Sequence, residues 1–386
     1  MPEILSSEEL KRFNRHIILP QVGLAGQEKL KQSKVLCIGT GGLGSPVSLY
    51  LAAAGVGRLG LVDFDIVDET NLQRQIAHST SDIGRPKVES ARDSLLGINP
   101  YMEVPLHGEG ITRANVRNIV KQYDIVVDGT DNFPTRYLVN DACVLEGKPL
   151  IYASIFQFEG QVTVFNYRNG PCYRCLYSEP PPPGLVPSCA EGGVLGVLPG
   201  LIGMIQATEA VKIILAKGRT LVGRLMLYDA MDMRFREVKL RPDPDCPACG
   251  KYPSIRDVVE YEQFCGLPPT EINYAKERPL NPDDIAPKEL AELIEQNPDI
   301  FVLDVREPFE LDICRIKGSY EIPLGQLQTR LSEVPQDREV VVHCKSGARS
   351  ARAVELLKNN GYTNVKNLAG GILQWIDDVD QSLSKY

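Results

Sequence analysis

The sequence has no excess of positive charge: 42 lysines and arginines stand against 50 aspartates and glutamates, a formal net charge of −8. With no basic tail or stripe there is no footprint for a nucleic-acid backbone or an anionic membrane, and neither partner is expected. The opening "MPEILSSEELKRF" lacks the basic start and apolar run of a secretory leader. Long hydrophobic runs are lacking too. The longest, "VLGVLPGLIGMI" at 194–205, is short and broken by glycine and proline, so no membrane span is expected. Histidine is scarce, and His16, His78, His107 and His343 show neither Ser/His/Asp spacing nor metal pairing. His343 is read as a strand residue facing away from Cys344. No internal repeat or low-complexity tract is visible apart from "EPPPPG" at 179–184, a stiff loop segment. A cytoplasmic chain is expected, where thiols stay reduced. Its ten cysteines are then metal ligands or nucleophiles before they are disulfides.

At 386 residues the chain is too long for one compact core and is expected to form two domains. Ser6 and Glu9 make a capping box for a first helix. "KVLCIG" (34–39) reads as a buried strand and "SPVSLYLAAAG" (45–55) as a helix, with Ser45 as cap and Pro46 at its first position. Strands at 58–65, 123–132 and 149–156 alternate with helices at 86–99 and in "TRYLVNDACVLEG". The alternation predicts an α/β fold, a mostly parallel sheet covered on both faces. "QVTVFNY", "LMLYDA" and "FREVKL" are expected as antiparallel additions. Residues 1–250 form this domain; 251–284, rich in proline and charge without a period, read as a linker. A second, smaller α/β domain is expected over 285–386.

"GTGGLG" places glycines at 39, 41 and 44 between a strand and a helix, a context in which backbone N–H groups face a phosphate. Asp63, at the end of the next strand, suits a ribose hydroxyl. Alone, this admits NAD, FAD or ATP, or glycines that serve packing only. Asn71, Arg74, Arg85, Lys87, Asp131 and Asn132 follow in loops after successive strands. A hydride-transfer site has no need of so many charges, whereas phosphoryl or nucleotidyl chemistry does: cations offset charge on a triphosphate and an aspartate can hold Mg²⁺.

"RHIILPQVGLAGQEKL", "GTGGLGS", "LVDFDIVDETNLQRQ", "GRPKVESA", "DGTDNFPTRYLVND" and "PCYRCLY" resemble the adenylyltransferases that activate ubiquitin-like sulfur carriers, the molybdopterin-synthase and thiamine-biosynthesis activating enzymes. The resemblance implies a ubiquitin-activating-type, Rossmann-like fold over roughly 1–250. It implies that Gly42, Asp63, Asn71, Arg74, Lys87, Asp131 and Asn132 contact ATP, and that Arg15 reaches a neighbouring subunit's site in a homodimer. The implied reaction is attack of a carrier's C-terminal Gly-Gly carboxylate on the α-phosphate of ATP.

"CYRC" (172–175) and "CPAC" (246–249) offer four thiolates, a set suited to structural Zn²⁺ in preference to a redox dithiol or buried thiols. The family places Cys172, Cys175, Cys246 and Cys249 at matching positions. Cys189, in the loop "VPSCAEGG", occupies a position at which the family is proposed to form a thioester or acyl-disulfide. Cys37, Cys143, Cys265 and Cys314 read as core or incidental residues.

In "HCKSGARS" a strand ends on Cys344, the loop turns through Gly347, and Arg349 begins a helix. Loop amides, a helix dipole, Lys345 and Arg349 all favour a negative sulfur. A phosphatase cradle, a sulfurtransferase cradle and a structural corner are the three readings. Four residues between Cys344 and Arg349 resemble the rhodanese loop; cysteine phosphatases have one more. "VLDVREPFE" and "LAGGILQW" extend that resemblance over 285–386, and Cys314, Arg315 and Ile316 depart from its usual Gly-His-Ile. The expectation is an enzyme that adenylylates a carrier and thiolates it with sulfur taken from a cysteine desulfurase or thiosulfate. A NAD-dependent oxidoreductase with a rhodanese appendage and a non-enzymatic carrier-binding scaffold are the alternatives.

Overall fold

The structure, a computed structural model, describes residues 4–181, 192–259, 261, 281–297 and 299–386. The chain divides into two compact units, residues 1–271 and 272–386. In the first, helices α1 (Ser7–Arg12), α2 (Asn14–Ile17) and α3 (Gly23–Gln32) precede strand β1 (Lys34–Ile38). Then come α4 (Gly44–Ala54), β2 (Arg58–Val62), α5 (Lys87–Ile98), β3 (Leu106–His107), α6 (Val116–Val120), β4 (Ile125–Asp128) and α7 (Phe133–Leu145). An antiparallel stretch closes the unit: β5 (Leu150–Phe156), β6 (Glu159–Phe165), α8 (Tyr173–Leu176), α9 (Leu198–Leu215), β7 (Arg224–Asp229) and β8 (Arg234–Lys239).

The eight strands lie in the order β3-β2-β1-β4-β5-β6-β7-β8, parallel through β5 and antiparallel beyond it. Strand alternation sends Val35 and Cys37 of β1 to one face, with α4, α5 and α9, and Leu36 and Ile38 to the other, with α6 and α7. Burial pushes the Cys37 thiol up to about 12, which suits its expected role as a core residue. The apolar run at 194–205 falls largely in α9, an 18-residue helix with half its length buried. By length and composition alone α9 could cross a membrane; here it packs against the sheet.

Two local expectations are corrected. Ser45 is not a cap: the helix starts at Gly44 after Leu43, and the Ser45 hydroxyl donates to the Thr40 carbonyl at 3.1 Å. Pro46 consequently stands third in the helix, not first. The strand expected to run to 65 ends at Val62, because the Asp63 carboxylate turns to the Thr40 amide and hydroxyl at 2.8 and 2.9 Å. The capping box at Ser6 and Glu9 forms as expected.

The stretch expected as a linker from 251 begins as part of the first unit. Val258 and Tyr261 are buried in the α6–α7 core, and Asp257 pairs with Arg117 at 3.0 Å. The Tyr261 hydroxyl donates to the buried Asp141 carboxylate of α7 at 2.6 Å, where Arg174 also binds with two nitrogens.

The second unit contains β9 (Asp284–Ile285), α10 (Pro287–Gln296), β10 (Phe301–Asp304), α11 (Pro308–Leu311), β11 (Tyr320–Glu321), α12 (Leu324–Leu327), β12 (Val340–His343), α13 (Ala348–Asn359), β13 (Val365–Leu368) and α14 (Gly371–Asp378). Its five strands are all parallel, in the order β11-β10-β12-β13-β9. Val340, Val342 and Cys344 enter one core and Val341 the other, so His343 points away from Cys344. The departure at 314–316 is accommodated: Cys314 and Ile316 are buried, and Arg315 pairs with Glu321 at 2.9 Å.

Replacing Tyr261 by Phe removes one of the donors to the buried Asp141. The expected loss is about 1–3 kcal/mol, read as a lower urea midpoint for the first unit's transition at unchanged slope.

Candidate active sites

From β1 the chain builds outward through β2 to β3, then returns past β1 to β4, so the order reverses between β1 and β4. Loops leaving neighbouring strands in opposite directions open a crevice at such a point. An open cleft lies there, lined by Gly39, Gly41, Gly42, Leu43, Asp63, Phe64, Asp65, Arg74, Gln75, Lys87, the 129–132 turn and Arg136. Glycine is obligatory at its floor. Gly39 has φ +87°, and a Cβ on Gly44 would sit 1.8 Å from the Gly39 carbonyl oxygen. The loop is tied by Asp63 and by His78, whose ring nitrogens lie 3.1 Å from the Thr40 carbonyl and 2.9 Å from the Ser90 hydroxyl. Burial lowers the His78 pKa, so a neutral ring bridges the loop to α5.

Of the residues expected around a nucleotide, Gly42, Asp63, Arg74, Lys87, Asp131 and Asn132 line this cleft. Lys87 is buried and paired with Asp65 at 2.8 Å. Asn132 also caps α7, its side chain accepting from the Thr135 amide at 3.0 Å. Asn71 does not line the cleft; its carbonyl accepts from the Arg74 and Gln75 amides and fixes the turn that presents Arg74. Arg85 turns elsewhere, to Asp82 and Asp93 at 2.5 and 2.7 Å. Arg15, on α2, is exposed and does not line the cleft of its own chain.

Sequence reasoning missed Arg136 and Gln75. Arg136 is buried, stacked over the rings of Phe133 and Tyr152, donates to the Thr130 carbonyl at 2.9 Å, and keeps an Nε without a partner among the described residues. Gln75 is also buried, its Oε1 unpartnered among the described residues. Such atoms at a cleft wall are candidates to meet a ligand. The available signal was Arg136 one helical turn after Asn132, on the same face of α7.

The sulfur atoms of Cys172, Cys175, Cys246 and Cys249 lie within 4.8 Å of one another, with separations of 3.4 Å (Cys175–Cys249), 3.6 Å (Cys172–Cys246) and 4.0 Å (Cys172–Cys175). Zinc–sulfur bonds of about 2.3 Å in a tetrahedron require edges of about 3.8 Å. The set therefore fits a metal such as zinc, and it joins α8 to the segment after β8. Cys189 and Cys265 lie outside the described residues.

In the second unit Cys344 is fully buried at the end of β12. Its Sγ accepts from the Gly347 amide at 3.2 Å and the Ser350 hydroxyl at 3.3 Å. Gly347, at φ +95°, turns the chain into α13, and the carbonyls of Cys344 and Lys345 are taken by the Ile372 and Leu373 amides of α14. Arg349 begins the helix as expected, but its guanidinium makes a two-point bond with Glu310 at 2.6 and 2.7 Å. Burial pushes the Glu310 carboxyl up and the Arg349 bond more than reverses this, leaving it below the usual carboxylate range. A phosphatase loop spends its arginine on phosphate; here a carboxylate occupies it, and the cradle suits a sulfur in preference to a phosphate. Arg306 is buried and bound to Asp304, a pairing internal to the domain.

The ThiF family model matches residues 13–248, and the Rhodanese-like domain model matches 286–378. The chain is 46% identical to "Probable adenylyltransferase/sulfurtransferase MoeZ" of Mycobacterium tuberculosis, covering 99% of this chain and 96% of that one. It is 43% identical to "Adenylyltransferase and sulfurtransferase MOCS3" of Culex quinquefasciatus, covering 99% and 90%. Among solved structures, the crystal structure of PaaA is similar with a TM-score of 0.54 and 26% identity, over 63% of this chain and 77% of that one.

Burial pushes His343 down to about 4, with Asp304 at 3.5 Å opposing the shift, so the ring is neutral in the fold. An unfolded histidine takes a proton near pH 6.5, so the unfolded state binds more protons between those values. Stability from this group is complete above about pH 6.5 and falls by on the order of 3 kcal/mol as pH drops toward 4. His343→Gln is expected to flatten that acid-side slope of the second unit's urea midpoint. An unchanged slope would mean that other groups govern it.

Proposed function

The chain belongs to the ThiF family and carries a rhodanese-like domain behind it in the same polypeptide; from that premise we propose how its two sites divide one synthesis. It is an adenylyltransferase and sulfurtransferase that activates a ubiquitin-like sulfur carrier and thiolates it. The observation that carries this reading is the strand-end cleft, where Arg74, Lys87 and Arg136 stand with Asp63 and Asp131 around a glycine loop.

The carrier's C-terminal glycine carboxylate attacks the α-phosphate of ATP, giving an acyl-adenylate and pyrophosphate. Positioning and charge stabilisation dominate such a step. Arg74 and Lys87 would offset triphosphate charge, Asp63 would take the ribose, and Asp131 would hold Mg²⁺. A second pocket, lined by Ser154, Gln161, Tyr228, Asp229 and Arg236, shares Ile155 with the cleft and offers an approach for the carrier's tail. Exposed Ile18, Leu19 and Leu24 beside Arg15 support a homodimer in which Arg15 serves the partner's site. Zinc at the four cysteines would be structural: their set is closed, with no place for substrate.

In the second unit, Cys344 takes sulfur from a donor, a cysteine desulfurase or thiosulfate, as a persulfide. The outer sulfur attacks the acyl-adenylate and AMP leaves, giving an acyl disulfide on Cys344. A second thiol attacks the Cys344 sulfur, forming a disulfide with it and releasing the thiocarboxylate, and a thiol reductant reopens that disulfide before the next turnover. Cys189 is proposed to hold the activated carrier as a thioester or acyl-disulfide, an alternative to direct attack of the persulfide on the adenylate. Hydride transfer is not retained: the cleft concentrates cations around a phosphate site, and the relatives are named for nucleotidyl and sulfur transfer.

ATP–pyrophosphate exchange with a Gly-Gly-ended carrier tests the first half, and sulfur added to the Cys344 peptide tests the second. Lys87→Ala is expected to slow exchange by about 100-fold while leaving Cys344 sulfuration intact. Cys344→Ala should keep exchange and abolish the thiocarboxylate. Exchange absent in the unaltered protein at saturating carrier would leave only a scaffold.

A further inference from the structure

The Cys344 loop carries two cations, Lys345 and Arg349, and each has a companion; a third, Arg306, is linked to these companions through Tyr386. Arg306 is bound by Asp304 with neither side chain exposed. Arg349 is held at two points by Glu310. The Lys345 ammonium lies 4.6 Å from the centroid of the Tyr386 ring, a cation–π contact. One hydroxyl joins these groups: Tyr386 accepts from Arg306 Nη1 at 2.7 Å and donates to Glu310 Oε1 at 3.0 Å. Glu310 thus faces Arg349 on one side and the tyrosine on the other, and is itself almost wholly buried. Of the two loop cations, Arg349 is neutralised by a carboxylate and Lys345 lies against an aromatic face.

We propose that Glu310 and Tyr386 are specificity residues for sulfur loading, matching the cradle to a persulfide borne on a cysteine and against thiosulfate. The assignment rests on the sulfurtransferase reading above. In either case the Cys344 thiolate attacks the donor's outer sulfur and the donor's S–S bond breaks. With a protonated organic persulfide the leaving group is the donor's thiolate, Cys344 becomes –S–SH, and the pair carries one negative charge throughout. With thiosulfate the leaving group is sulfite, Cys344 becomes –S–S⁻, and the pair carries three negative charges throughout. A sulfonate dianion approaching a thiolate calls for uncommitted cations to offset that repulsion. Here the loop arginine is held by a carboxylate and the loop lysine lies against a ring, so much of the repulsion is left standing for thiosulfate and is absent for the persulfide.

The test compares loading of Cys344 in the full chain from thiosulfate and from glutathione persulfide, following the added sulfur by peptide mass over time. The unaltered protein is expected to load faster from the persulfide. Glu310→Gln keeps the side chain's shape and an acceptor for the Glu307 amide, and it releases the Arg349 charge. Its kcat/KM for thiosulfate should rise at least about tenfold, through KM, while persulfide loading changes little. Tyr386→Phe, which keeps the ring and removes the bridging hydroxyl, should shift the same ratio in the same direction by a smaller factor. A thiosulfate-to-persulfide ratio unmoved in both variants overturns the assignment. Should Glu310→Gln melt early, Tyr386→Phe alone decides. Failure of both donors to load the unaltered protein would instead remove the sulfurtransferase reading on which the assignment rests.

Discussion

The close approach of the 39–44 loop to the end of β1 governs the chemistry of the first unit. A side chain on Gly44 would collide with the Gly39 carbonyl, so the helix that follows can start only because nothing projects there. That packing brings the amide end of α4 to the edge of the sheet, where its dipole favours an anion. Asp63 and His78 then fasten the same loop from opposite sides, one through the Thr40 amide and the other through the Thr40 carbonyl. The second unit solves a related problem by related means. Cys344 ends a strand, Gly347 turns the chain with a backbone angle foreign to other residues, and a helix begins. In both units a parallel strand delivers chemistry to a helix N-terminus through a glycine.

Much of this was legible in the sequence because its causes are local. Alternating strand and helix patterns marked the parallel sheet, and the glycine spacing marked the phosphate loop. The two Cys-x-x-Cys pairs marked a ligand set whose members are far apart in the chain. What escaped is long-range. Nothing near Arg349 announces that Glu310, 39 residues earlier, takes both of its terminal nitrogens. Tyr261 reads as part of a polar linker because its partner, Asp141, lies 120 residues away. Ser45 misled for a different reason: its hydroxyl had two possible acceptors or donors nearby, and the loop geometry selected the Thr40 carbonyl over a capping role.

The buried charges divide into those that build and those that face a ligand. Asp141 with Arg174, and Asp304 with Arg306, are satisfied pairs inside their units. Breaking either would strand an ion in a low-dielectric interior. Arg136 differs, since its charge is buried beside aromatic rings while one nitrogen has no partner among the described residues. An unsatisfied donor of that kind is tolerated where a substrate completes it, and so it belongs with the cleft. The tyrosines around it, Tyr152, Tyr173, Tyr137 and Tyr177, meet edge-on or tilted, and Tyr173 lies in the chain between Cys172 and Cys175 of the cluster. Whatever fixes the cysteines therefore also fixes the wall.

The amides of α14 have a consequence for anyone who would graft the sulfur loop onto another scaffold. Ile372 and Leu373 grip the carbonyls of Cys344 and Lys345, and Gly371 lies so near that a methyl group there would be 2.5 Å from both oxygens. The six residues from Cys344 to Arg349 are therefore half of a two-piece clasp. Transplanted without the paired glycines at 370 and 371, they would lose the shape that makes them a sulfur cradle.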